Sequence, residues 1–186
     1  MLAAVLVVGG LLGLVASFAL TQDDFTLLGN PTAHLMCSIS ATLQCGRNIL
    51  SWQGKVFGFP NPLLGLMTFP APLVVGVALL GRVRLPRWYW LVFNLGMWFA
   101  MGFIAWLAYE SIFHLGTLCP WCAVVYAAVI PMWLTVTVHN MTQGRVGAAL
   151  QRIGAAITPW TLLITALLYA VILAAAQANL NILASL

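Results

Sequence analysis

Charge is what this sequence has least of. Only 5% of its 186 residues are charged, three acidic and seven basic, where a soluble domain carries about 25%. So little charge cannot cover a water-facing surface, which excludes an ordinary globular enzyme or binding module. The composition is 63% hydrophobic and the mean hydropathy is +1.03, the signature of an integral membrane protein. A net charge of +4 does not point to nucleic acid: the basic residues form no patch with interleaved aromatics, and five of them sit near the ends of apolar runs. The first apolar run also lacks a basic leader and an A-x-A-type cleavage site, so it reads as a retained span and not a signal peptide. No internal repeat of useful strength is visible.

What is there is a succession of apolar runs, each about long enough to cross a bilayer as a helix. We expect an all-α membrane protein forming one domain over 1–186, with spans at 2–20, 61–80, 88–109, 119–138 and 157–175. Trp88-Tyr89-Trp90 opens the third span as an interfacial belt, and Gly9 and Gly13 are a possible close-packing pair. Residues 110–118 read as a short return loop, 139–156 as a polar turn, and the chain beyond 175 as a short, slightly polar tail. Positions 21–60 form the one long polar segment. With five alternating spans, Arg82, Arg84, Arg87, Arg145 and Arg152 share one side, while Arg47, Lys55, Asp23, Asp24 and Glu110 share the other. The positive-inside tendency makes the arginine side cytoplasmic. Both cysteine pairs then face outward, where disulfides persist.

Cys119-Pro120-Trp121-Cys122 sits where the fourth span begins. A Cys-x-x-Cys pair at a helix start holds two sulfurs within bridging distance, where free N–H groups and the helix dipole favour a thiolate. Pro120 suits the first helical position, because no N–H is needed there. A staple across three residues closes too small a loop to yield much entropy, so the pair is a poor structural device and a good redox one. Cys37 and Cys45 are eight residues apart in a segment, 32–50, that looks partly helical. One unbroken helix would separate them by about 12 Å, beyond the ~7 Å a disulfide tolerates, so pairing requires a bend. Such a bridge is either a structural staple or the outer half of a relay. Two pairs on one membrane face suit a thiol–disulfide relay, with Cys119 meeting the loop and Cys122, one turn deeper, facing a hydrophobic acceptor such as a quinone. A Cys₄ metal site is the competing reading. The seven-residue spacer and the oxidising side count against it, so no metal is expected.

Cys37-x₇-Cys45, Ser51 six positions on, Phe57-Gly58-Phe59-Pro60-Asn61 leading into Gly65, and Cys119-Pro120-Trp121-Cys122 followed one turn later by Tyr126 together resemble the vitamin K epoxide reductase family. The resemblance covers roughly residues 2–138. It implies a bundle of four membrane helices around a quinone, capped by an extracytoplasmic loop carrying the first cysteines, with the fifth span as an addition. It further implies that Cys122 is the quinone-reactive thiol, that Cys119 exchanges with Cys45, and that Cys37 meets an outside partner. Asn61 and Tyr126 match positions that hydrogen-bond quinone oxygens, and Ser51 matches a loop serine near the active site. Many bacterial relatives carry a fused thioredoxin-like domain after the fifth span. Here none follows, so we expect a separate, extracytoplasmic thioredoxin-fold (DsbA-like) partner, a bacterial cytoplasmic membrane location, and menaquinone or ubiquinone as acceptor. Disulfide generation is favoured over epoxide reduction. The unrelated DsbB type places its two cysteine pairs in the opposite order.

From the residues alone, Asn61 and Tyr126 offer donors to a buried carbonyl, and they read equally well as a cap of the second span and a belt aromatic. Trp52 and Trp121 flank the cysteines as candidate walls of a quinone pocket. His114 and Glu110 are candidate proton donors that read equally well as surface residues.

Overall fold

The computed structural model describes residues 1–181 apart from 31, 34, 36 and 41. The four internal positions belong to the expected polar loop, and the last five residues of the expected tail also lie outside the described residues. Among the described residues, five helical segments are long and apolar enough to cross a membrane: Leu2–Gly29, Asn61–Leu80, Arg87–Leu115, Pro120–Thr142 and Ala148–Leu180. The described residues include no strand, only one isolated parallel bridge.

The first helix, α1 (Leu2–Gly29), runs nine residues past its expected end. Polar residues at 21–24 mark the exit from the membrane, not the end of the helix. Its buried face continues through Leu20, Asp24 and Leu27, at the i, i+4, i+7 spacing that keeps one side of a helix against a neighbour. The loop that follows is less helical than expected, with α2 (Gly46–Leu50) and a 3₁₀ turn over Trp52–Lys55. Before them Ser38 N–H donates to the Leu35 carbonyl (3.0 Å) and Ile39 N–H to Leu43 (2.8 Å), bonds that bend the chain instead of winding it.

The second span is split into α3 (Asn61–Thr68) and α4 (Pro70–Leu80). Pro70 has no N–H to continue the ladder, so the break falls at the residue before it. The third span, α5 (Arg87–Tyr109), does not give way to a return loop. It widens into a π-helical turn over Glu110–Leu115, closed by Gly116 at φ +65° and by Thr117 N–H donating to the Ser111 carbonyl at 3.1 Å. The fourth, α6 (Pro120–Thr142), begins directly after Cys119 and overruns its expected end by four residues. Most of the expected turn at 139–156 is helical, as the end of α6 and then α7 (Ala148–Ile157). The last helix, α8 (Thr161–Leu180), follows a 3₁₀ turn.

Helix α1 packs on α3, α4 and α6, while α5, α7 and α8 also pack on α6. The close approach around α1 depends on small residues. A Cβ on Gly9 would meet Met132 Sδ at 2.6 Å, one on Gly13 would collide with the Phe69 ring, and one on Gly65 with the Ser17 hydroxyl. Gly9 and Gly13 are therefore a packing pair, each on a different neighbour.

Helix α6 contains Pro131, which leaves the carbonyl of Ala127 without its intrahelical donor. In lipid such a group needs another partner. Tyr169 on α8 supplies it, its hydroxyl donating to Ala127 O at 2.7 Å. Tyr169→Phe should lower the melting temperature, losing about 1 kcal/mol. In a Pro131→Ala background, where the helix satisfies its own carbonyl, the same change should cost much less; equal losses in both backgrounds would remove this account of how α8 is held.

The arginine-bearing turns meet at one end of the bundle. Arg87 Nη2 donates to the Arg145 carbonyl at 2.5 Å, and the Arg145 guanidinium lies 4.9 Å from the Trp90 ring centre. All four cysteines lie at the other end.

Candidate functional site

The site is assembled by two short backbone segments. Leu43 and Leu118 form the isolated bridge, with Leu118 N–H donating to the Thr42 carbonyl at 2.8 Å. Cys45 follows two residues after one strand of this bridge and Cys119 one residue after the other. Their sulfurs lie 3.1 Å apart, and both residues are wholly buried.

Cys45 is disulfide-bonded to Cys37 across a Cα separation of 5.8 Å, which the bent loop permits. Cys119 and Cys122 are free thiols. Leu20, Leu27, Leu35 and Ile49 enclose Cys37, Cys45 and Cys119, so the contact between disulfide and dithiol is dry. Asp23 Oδ2 lies 3.2 Å from Cys37 Sγ. Asp23, Cys37 and Cys45 bring their polar atoms within 4.8 Å of one another, but two sulfurs that share a bond are not the thiolates a soft metal ion requires. Cys37 itself is only 5% exposed, so meeting an outside protein requires the loop to open.

Cys119 is the residue preceding α6. A hydrogen bond from the Cys122 thiol, aided by the backbone N–H groups of Cys122 and Trp121, holds the Cys119 thiol below its ordinary pKa despite the opposing effect of burial. Of the two free thiols, the one that touches the outer disulfide is thus the one whose thiolate the helix start favours.

A polar clasp keeps the two halves in register. Asn48 on α2 donates from Nδ2 to Ser111 Oγ (3.1 Å) and accepts from Thr117 Oγ1 (3.2 Å), while Ser111 donates to the Thr117 carbonyl (2.5 Å). Arg47 Nη1 adds a bond to the Leu115 carbonyl at 3.0 Å. Asn48, Ser111 and Thr117 carried no signal in the sequence, because their role exists only once the loop and the π turn are adjacent.

Beneath the clasp, a cavity of about 620 Å³ lies between α3–α4 and α5, with α6 behind it. Its walls are mostly apolar, including Phe69, Phe93, Met97, Phe103 and Val129, and its rim residues Met67, Trp88, Val92 and Phe99 are open to the surroundings. Polar groups gather at the cysteine end: Asn48, Gln53, Asn61, Glu110, Cys119 and Cys122. Tyr126, one turn below Cys122, lines the same space and is nearly fully buried.

The other expected ligand-binding residues divide. Ser51 reaches the cavity wall, and its hydroxyl also caps the 3₁₀ turn, accepting from Gly54 N–H (3.2 Å) and donating to the Asn48 carbonyl (2.7 Å). Asn61 lines the cavity, with Nδ2 donating to the Gln53 backbone carbonyl at 2.7 Å; it ties α3 to the loop and does not cap its own helix. Trp121 is not among the lining residues; it packs against the cysteine cluster instead. Trp52 is likewise elsewhere, 67% exposed and 6.0 Å from the Trp106 ring. Gln53, which the sequence did not single out, is buried at the polar end of the cavity, where its Nε2 donates to Glu110 Oε2 at 3.1 Å. The side-chain oxygens of Gln53 and Asn61 are buried without a donor among the described residues, and unmet acceptors of that kind suit a ligand that brings hydroxyl or N–H donors to this end.

The profile of the Vitamin K epoxide reductase family matches residues 4–137 of the chain. Neither the curated proteins nor the solved structures include a match.

Proposed function

Since the chain belongs to the vitamin K epoxide reductase family of membrane oxidoreductases, we propose that it is a quinone-dependent thiol oxidase generating disulfides for an extracytoplasmic thioredoxin-fold protein. The observation that carries this reading is the 3.1 Å contact between Cys45, within a disulfide, and Cys119, within a dithiol. That contact lets a pair of electrons pass in either direction by thiol–disulfide exchange.

In the oxidising direction a reduced partner attacks Cys37 and leaves with the disulfide, and Cys37 and Cys45 become thiols. Cys45 thiolate then attacks Cys119 in an oxidised Cys119–Cys122 pair. The Cys119–Cys122 bond breaks, a Cys45–Cys119 bond forms, and Cys122 departs as a thiolate. Cys37 resolves the mixed disulfide, restoring Cys37–Cys45 and leaving Cys119 and Cys122 reduced. The thiol arrangement described above is the product of that step.

A quinone such as menaquinone or ubiquinone would supply the final acceptor for two electrons and two protons. The apolar cavity with polar groups at its cysteine end fits such a molecule, and Asn61, Tyr126 and Ser51 are the residues that would hold its ring. With the arginine turns in the cytoplasm of a bacterial cell, the cysteines face the compartment where a DsbA-like partner works.

Differential alkylation with peptide mass mapping tests the relay. Reduced protein mixed with menadione should end with Cys37–Cys45 and Cys119–Cys122 bridges, and Cys37→Ala/Cys122→Ala treated with copper phenanthroline, an oxidant that needs no quinone-reactive thiol, should accumulate a Cys45–Cys119 link. Four thiols that remain reduced in the presence of the quinone, or a double variant with no such link, would overturn it.

A further inference from the structure

The exchange just described leaves a proton deficit inside the membrane. Cys119 and Cys122 each leave a disulfide as a thiolate, and no step of the exchange brings a proton with them. Re-forming the Cys119–Cys122 bond releases two electrons, so converting a quinone to a quinol beside them takes two protons from elsewhere: two thiolates, quinone and two protons give disulfide and quinol. Something must carry those protons from water to the cavity.

Two carboxylates line the cavity, Asp24 and Glu110. Asp24 is closed off, its side chain 4% exposed with Lys55 Nζ at 3.7 Å. That ion pair and the buried position keep Asp24 out of contact with water. Glu110 has a different neighbour. Its Oε2 lies 2.9 Å from His114 Nδ1, and the His114 side chain is 55% exposed whereas that of Glu110 is 13% exposed. Histidine is the side chain that exchanges protons with water near pH 7. Gln53 Nε2 holds the same Oε2 from the loop, so both contacts share one oxygen and Oε1 is free of both.

The backbone explains why this pair exists at the cavity mouth. Glu110 and His114 begin and nearly end the π-helical turn, a widening that often accompanies functional positions in helices. The other charged or titratable groups near this turn are Tyr109, whose ring meets His114 edge-on at 5.4 Å, Arg47, bonded to the Leu115 carbonyl, the Lys55–Asp24 pair, and Cys119, Cys122 and Tyr126 across the cavity. Helix α8, which packs on the turn, brings no charged residue.

We propose that His114 and Glu110 form the path by which protons from the aqueous face reach the cavity beside Cys122. The inference rests on the quinone reading of that cavity. Glu110 delivers a proton at its carboxyl and is recharged through His114 Nδ1 from water.

The test uses the full chain in nanodiscs, reduced and then mixed with menadione in a single turnover. Glu110→Gln keeps the side-chain shape and the acceptor for Gln53 but cannot carry a proton, and it should slow thiol oxidation about 100-fold. Glu110→Asp should recover most of the rate, and His114→Ala should slow it and be rescued by added imidazole. In Glu110→Gln, menadione affinity from tryptophan quenching should stay within about twofold, and the Cys45–Cys119 link should still form with copper phenanthroline in the Cys37→Ala/Cys122→Ala background. Wild-type rates in Glu110→Gln would overturn the proton path alone, as would a loss of menadione binding or of the Cys45–Cys119 link, which would make Glu110 structural. A wild-type protein that menadione fails to oxidise would remove the quinone reading and this inference with it.

Discussion

Replacing Cys122 with serine should reduce menadione-linked oxidation of the outer cysteines by about a thousandfold or more, the scale expected when a covalent nucleophile is lost. The reason is positional. Cys119 faces the outer disulfide through a 3.1 Å sulfur contact, while Cys122 lines the cavity one turn deeper and its residue is partly open to it. Without Cys122, electrons that reach Cys119 have no second sulfur with which to leave as a pair. The change should also be visible without any quinone. The Cys122 thiol is the main group stabilising the Cys119 thiolate, so Cys122→Ala should move the alkylation of Cys119 to higher pH. Turnover retained in Cys122→Ser would place the terminal thiol elsewhere, and an unmoved alkylation profile would separate Cys119 from its expected donor.

Cys37→Ser should split two activities that the parent performs together. Oxidation of a thioredoxin-fold partner should fall about a thousandfold, because no sulfur remains to resolve the Cys45–Cys119 link from outside. Menadione reduction driven by excess dithiothreitol should stay within about tenfold of the parent, since a small dithiol can open that link itself. The two rates, measured side by side on the same preparation, decide the order of the relay. If both fell together, Cys37 would not be the outermost sulfur. Because Cys37 is 5% exposed beneath Leu35 and beside Asp23, the partner reaction also requires the loop to move.

Much of the site was legible because its chemistry is carried by rare residues. Four cysteines in a chain with so little polar sequence stand out, and the spacing of Cys37 and Cys45 by itself requires a bend if the two are to pair. Tyr126, one turn from Cys122, and Asn61, at the start of α3, do reach the cavity. Trp121 does not, because a tryptophan beside a cysteine can turn to either side of its helix and periodicity cannot say which. Gln53 and the Asn48–Ser111–Thr117 clasp were invisible for a related reason. Common polar residues become specific only through partners 57 to 69 positions away.

The membrane class, the five spans and the placement of the Cys-x-x-Cys pair at a helix start came from composition and local pattern alone. These properties depend on hydrophobic length, proline and the chemistry of individual side chains, all of which are local. Where helices stop was less determined, as the extension of α1 to Gly29 and the π turn at Glu110–Leu115 show. Tertiary structure alone decided which sulfur touches which, since the Leu43–Leu118 bridge joins segments 75 residues apart. It also decided that Glu110 lies at a cavity and not merely at a surface. In an almost uniformly apolar chain, sequence periodicity cannot distinguish a face turned to lipid from one turned to a neighbouring helix, so long-range contacts and the cavity between them emerge only when the helices pack.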